Sequence, residues 1–191
     1  MKMKMKMNFR NRILNPVFVF VCCLILMPYA NANGLPEKGH YNFTTVSDGG
    51  MENGVQHLWI MTGRGKFGEN HVNGGGEFNH IDGLSGPPPL NVLASGTWKA
   101  KEFISWIPVA GQGPNPHGQA IAGILTMGIR LIPDGNDGDG IPATLTVVCN
   151  VPPAGNFTGM VEGIFLNIDG GLSIVPLDVG VTLLTVGKDG Q

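Results

Sequence analysis

Residues 121–131 read Ile121-Ala122-Gly123-Ile124-Leu125-Thr126-Met127-Gly128-Ile129-Arg130-Leu131. The odd positions Ile121, Leu125, Met127, Ile129 and Leu131 are apolar, with Gly123 among them. The even positions include Thr126, Gly128 and Arg130. A period of two marks an extended ribbon with one side buried, because successive side chains leave a strand on opposite faces. A helix needs apolar residues three and four apart. No stretch after Ala32 sustains that spacing beyond two turns before Gly or Pro interrupts it.

Seven further segments read as strands: Tyr41–Val46, Val55–Thr62, Gly76–Ile81, Asn91–Ile107, Ala143–Val151, Gly159–Ile168 and Leu177–Val186. Asn53-Gly54 and Asn73-Gly74 suit hairpin turns, whose central residues need positive φ. Residues 134–140, DGNDGDG, join two strong strands, and Gly86-Pro87-Pro88-Pro89 and Gly111 to Gly118 read as extended loops. About eight strands with irregular loops and no helix predict a single-domain, all-β fold, an antiparallel β-barrel or β-sandwich.

Residues before this domain read as an address. Lys2, Lys4, Lys6, Arg10 and Arg12 precede any acid, an apolar run follows from Val17 to Met27, and Ala30-Asn31-Ala32 closes the segment. This is the order of a secretory signal peptide. The apolar run is too short for an anchor, since eleven helical residues reach about 16 Å against about 30 Å of hydrocarbon. The expected division is 1–32 signal peptide and 33–191 all-β domain, delivered to the periplasm or the exterior, with no membrane span once the leader is removed.

The whole chain has 191 residues, 42% hydrophobic and 14% charged, with 30 Gly and 3 Cys. That composition excludes a strongly charged disordered chain and a disulfide scaffold, and the Gly residues lack the three-residue period of collagen. After Ala32 there are seven Lys and Arg against fourteen acids, a net charge of −7. Such a domain repels nucleic acid and anionic membranes, so neither is an expected partner. Cys149 is the one cysteine left, so the core must hold the domain without an intrachain disulfide. It alternates in phase with Leu145, Val147 and Val151, which makes it a small buried hydrophobe.

In the run Asn91–Ile107, Trp98, Ala100, Ile104 and Trp106 share parity, with Glu102 among them. Either Glu102 faces inward as an acid on an apolar side, or a β-bulge resets the register there and brings Phe103 to the side of Trp98. The bulge is the preferred reading. An inward Glu102 would be the best functional acid, because burial raises a carboxyl pKa.

Residues 64–80 form the densest polar stretch, and there His71, Glu77 and His80 make an imidazole–carboxylate–imidazole set. On one strand Glu77 and His80 face opposite sides, so a solvated hairpin is the competing reading. Gly63 to Gly68 spells G-x-G-x-x-G, but no helix can follow it across Asn70 to Gly76, so it is no dinucleotide fingerprint. Asp134, Asn136, Asp137 and Asp139 crowd hard oxygen ligands into one loop, the makings of an irregular calcium site. An EF-hand is excluded because its twelfth position falls on Leu145. Asn42-Phe43-Thr44 and Asn156-Phe157-Thr158 are glycosylation sequons.

These features point first to a secreted, non-enzymatic protein that acts by binding or by structural display. A small apolar ligand inside a barrel would meet Trp59, Trp98 and Trp106 as wall residues. The competing expectations are a small β-fold hydrolase or isomerase using His57, Glu77, His80 or Glu102, and a calcium-stabilised surface protein. For the enzyme, two of those four side chains must converge within hydrogen-bond reach, with one pKa perturbed.

Overall fold

The computed structural model describes residues 38–52, 54–83, 91–108, 120–136, 138–151 and 158–185. The leader over residues 1–32, the proline loop at 87–89, the loop at 111–118, Asp137 and Asn156 lie outside the described residues. The eight strands are β1 Gly39–Glu52, β2 Val55–Gly68, β3 His71–Asp82, β4 Asn91–Pro108, β5 Gly123–Pro133, β6 Ile141–Cys149, β7 Gly163–Ile168 and β8 Leu172–Thr185. Each pairs antiparallel with the next, and β8 pairs with β1, so the sheet closes as an up-and-down barrel. Of the two expected architectures, the barrel is the one formed. Closure removes the exposed edges that an open sheet would present.

Alternation decides what fills the barrel. Tyr41, Phe43, Met61, Phe78, Trp98, Leu125, Met127, Leu145 and Leu166 all point inward and are almost without solvent exposure. Arg64, Lys66, Glu77, Lys99, Lys101 and Glu102 stand exposed on the outer wall. The lumen is thus filled by apolar side chains, and the outer wall carries charges on β2–β4 and exposed apolar residues such as Val179 and Val181 on β8.

Glycines make room for the inward aromatics. A Cβ on Gly63 would strike the rings of Trp98 and Phe43, and one on Gly123 would strike Trp106. One on Gly39 would meet Phe67. Trp98 lies 5.8 Å from Phe43 and 6.3 Å from Tyr41, centroid to centroid, in a stacked group across the lumen. The abundance of glycine is thus the counterpart of large rings in a narrow barrel.

The β2–β3 ladder has no register pairs between Met61↔Phe78 and Arg64↔Gly75. Side chains take over at that gap. The Trp98 indole N–H donates to the Thr62 carbonyl at 2.8 Å, and the Glu77 N–H donates to Thr62 Oγ1 at 3.2 Å. Buried backbone groups need such partners, and here the core aromatic supplies one.

Two expectations about turns differ from what is seen. Gly54, at φ +81°, closes the β1–β2 hairpin beside the Glu52↔Val55 pair, as expected. Gly74 does have positive φ, +122°, but it lies within β3, opposite Gly65. The β2–β3 turn is Glu69-Asn70, beyond the Gly68↔His71 pair.

In β4 the register shifts twice, between Ala100 and Glu102 and between Phe103 and Ser105. The inward positions therefore run Trp98, Ala100, Phe103 and Trp106, spaced two, three and three. Glu102 is exposed opposite Gly128, as the bulge reading requires. Ile104, read as inward from its parity, is instead 47% exposed because the second bulge turns it out.

Candidate functional site

The barrel has two unlike ends. One collects the hairpins β1–β2, β3–β4, β5–β6 and β7–β8. At this end β2 brings His57 and Trp59 to the lumen side, and β3 brings His80, the register partner of Trp59. The His80 ring lies flat on the Trp59 indole, with centroids 4.7 Å apart and planes 15° apart. Phe78 stacks on the same indole at 5.6 Å.

His57 Nδ1 and His80 Nε2 are 2.8 Å apart, and His57 Nε2 lies 3.8 Å from the exposed Glu52 carboxylate. One proton fits between the two facing nitrogens, so the rings cannot both be doubly protonated in this arrangement. The His80 pKa is lowered from its ordinary value, chiefly by burial and then by the charge His57 can carry, while Glu52 pulls the other way. The result is a carboxylate–imidazole–imidazole series in which the inner ring favours the neutral form.

Beside this pair, three buried polar atoms have no hydrogen-bond partner: Thr45 Oγ1, Ser47 Oγ and Trp59 Nε1. They belong together. Ser47 is the register partner of Trp59, and Thr45 lies two residues along the same inward face of β1. A Cβ added to Gly49 would come within 3.1 Å of Trp59 Nε1, so the indole edge lies over the glycine that follows Ser47 on that face. The indole can only donate, and each hydroxyl can donate. The set presents donors into the lumen.

The other sequence candidates separate. Glu77 and Glu102 stand on the outer wall, away from the histidines. His71 is exposed at the start of β3, so the His71–Glu77–His80 set does not assemble. Trp98 occupies the middle of the lumen as described above. Trp106 lies toward the opposite end, tilted against Phe67 at 4.9 Å. Of the three tryptophans, Trp59 is the one beside the orphaned polar atoms.

In the β5–β6 loop, Asp134 accepts a hydrogen bond from Ser95 Oγ, and Asn136 Oδ1 accepts one from the Gly138 N–H at 2.9 Å. Asp134 thus ties the loop to β4, Asn136 braces the loop internally, and Asp139 is part of the same loop. No group of three or more His, Cys, Asp or Glu placed to hold a metal occurs among the described residues. Cys149 is buried, donates to the Thr182 carbonyl at 3.4 Å, and has its pKa pushed up to about 11 by burial.

Sequence reasoning named His57, His80 and Trp59 but missed Thr45, Ser47 and Glu52. Thr45 and Ser47 alternate in phase with Tyr41 and Phe43, which was a usable signal for two inward hydroxyls. No protein-family profile matches the chain, and neither a curated protein nor a solved structure does.

Proposed function

We propose that this is a secreted binding protein that holds a small, mostly apolar ligand in the histidine end of the barrel. The observation that carries the reading is the cluster of three unpartnered buried polar atoms at one place in an otherwise apolar lumen. Leaving a buried donor unsatisfied costs about 1–3 kcal/mol, so a set of three is a standing destabilisation unless something binds there. Donors call for an oxygen acceptor on the ligand. Asp48, Glu52, Asp82, Asp134, Asp139 and Asp169 all lie at or near this end. Their field disfavours a carboxylate and favours an uncharged carbonyl, ester or ether oxygen. Met61, Phe78 and Ile174 line the lumen for the apolar body.

Native mass spectrometry of protein from its natural source tests the reading directly. The expected result is an added mass that disappears on denaturation and is absent from the Thr45→Val/Ser47→Ala variant. Without ligand, that variant should be more stable than the parent by about 1 kcal/mol or more, since both orphans are gone. A bare parent mass together with a destabilised variant would remove the proposal.

A second reading rests on its own observation. His57 and His80 meet within hydrogen-bond reach, one of them with a perturbed pKa, which was the condition set for an acid–base enzyme. On this reading the pair moves a proton on the same bound molecule while the donors hold its oxygen, as in an isomerase or hydrolase. Turnover lost in His80→Asn with ligand affinity kept would favour it over simple binding.

A further inference from the structure

We propose that the outer wall over β2–β5 is a groove for an acidic polysaccharide, a sugar chain bearing sulfate or carboxylate groups, gripped between Arg64 and Lys66 on one side and Lys99, Lys101 and Arg130 on the other. These are five of the seven cations that follow Ala32, in a segment whose net charge is −7. Strand register gathers them. Arg64 is opposite Gly75, Gly75 is opposite Lys99, and Lys99 is opposite Arg130, so three cations and one glycine form a single row across four strands. Lys66, two residues from Arg64, extends one wall, and the β4 bulge turns Lys101 outward to extend the other.

The floor between the walls is backbone. Gly75 faces outward between Arg64 and Lys99, while Gly74 and Gly76 on either side of it belong to the lumen face, opposite Gly65 and Trp98. A Cβ on Gly75 would meet the Trp98 carbonyl oxygen. Close strand approach thus requires this glycine, and the consequence is a bare position in the middle of the row, flanked along β3 by Asn73 and Glu77. With strands about 4.8 Å apart, the Arg64 and Lys99 backbones are about 10 Å apart, the width of one extended polymer chain. Glu69, Glu77, Asp82 and Glu102 are the acids on these strands and their turn, against five cations, while the remaining segment carries Lys38 and Lys188 against ten acids.

A polyanion is therefore drawn to this face and repelled elsewhere, which sets both position and orientation. Two chemistries of polyanion are distinguishable here. Single-stranded nucleic acid is held by base stacking on aromatic rings as well as by charge. No Trp, Tyr or Phe side chain among the described residues stands on this face; those of β2–β4 point into the lumen. Point charges on a bare floor suit a chain whose recognition is carried by its anionic groups and hydroxyls.

The test is binding of the full chain to immobilised dextran sulfate and alginate, with neutral dextran and oligothymidylate in parallel, at low and high salt. Expected are retention on one or both anionic sugars, none on dextran, and weakening by salt. Arg64→Gln/Lys99→Gln should bind roughly tenfold more weakly, each single variant a few-fold, with near-UV circular dichroism unchanged. Lys38→Gln should bind as the parent does. Equal retention of the double variant, no preference over neutral dextran, or tighter binding to oligothymidylate would each overturn the proposal. Because the groove is outside the barrel, the outcome is independent of whether a ligand occupies the lumen.

Discussion

Gly63 sits where the inward faces of β1, β2 and β4 converge, and the rings of Trp98 and Phe43 occupy the space its side chain would need. Gly63→Ala adds one methyl to a filled core. Overpacking of that kind costs about 1–3 kcal/mol, so urea unfolding should show the loss with an unchanged slope. At the histidine end the relevant quantity is a proton. His80 binds its proton less tightly when folded than when unfolded, because burial and His57 lower its pKa from 6.5. As pH falls below about 6.5, the unfolded chain takes up more protons than the folded one, and stability drops through that window. Melting at pH 7.5 and pH 5.5 should show this as a gap in the parent that narrows in His80→Asn. An equal gap in both proteins would mean that the imidazole pair is not what the barrel feels on acidification.

Strand β4 shows what one extra residue does. With Lys101 present, Phe103 and Trp106 follow Trp98 into the lumen through two bulges. Deleting Lys101 removes the extra residue, so Ala100, Glu102 and Phe103 stay opposite Ile129, Gly128 and Met127 in simple alternation and Phe103 keeps its inward side. The expected outcome is a variant that folds with near-UV circular dichroism like the parent's, and Lys101→Ala, which keeps the bulge, should unfold within about 0.5 kcal/mol of the parent. The same element marks the limit of legibility. The acid on the apolar side, Glu102, announced the first bulge, but nothing polar marked the second, and Ile104 was misplaced. Segments β5 and β6 were readable because their inward residues are large and aliphatic. The second half of β2 and the start of β3 were not, because Gly63, Gly65, Gly74 and Gly76 stand at or beside inward positions emptied for rings that belong to other strands. For the site, His57, Trp59 and His80 were visible as residue types. Their meeting depends on β2–β3 register, which no local pattern states, and the orphaned hydroxyls of Thr45 and Ser47 look like ordinary strand residues until the burial of β1 is known.

Closing the barrel requires its last strand to pair on both sides, and the two seams of β8 are unequal. β8 pairs with β1 over most of its length, but its register with β7 covers only Leu166↔Ile174, Asn167↔Ser173 and Ile168↔Leu172. Farther along β8, one side chain bridges the seam. Glu162 accepts from the Thr182 N–H at 3.3 Å, from Thr182 Oγ1 at 2.9 Å and from the Asn150 N–H at 3.3 Å. The Val148 carbonyl, 2.7 Å from Thr182 Oγ1, shares that hydroxyl's single proton with Glu162, while the Ile121 N–H donates to the Leu184 carbonyl at 2.9 Å. A carboxylate thus does along part of β8 what a ladder does elsewhere, and charge-assisted bonds of this kind are stronger than neutral ones. Removing it leaves the Thr182 and Asn150 N–H groups, on two segments, without this acceptor. Glu162→Ala should lose about 2–3 kcal/mol, and Glu162→Gln, which keeps a carbonyl acceptor, should lose less. Amide exchange locates the damage. In Glu162→Ala the second half of β8 should exchange well before β5, because β5 pairs with β4 and β6 over most of its length and this part of β8 would keep only β1. Uniformly faster exchange over all eight strands would instead mean that the seam opens only with the whole barrel, and that closure is as cooperative there as anywhere else.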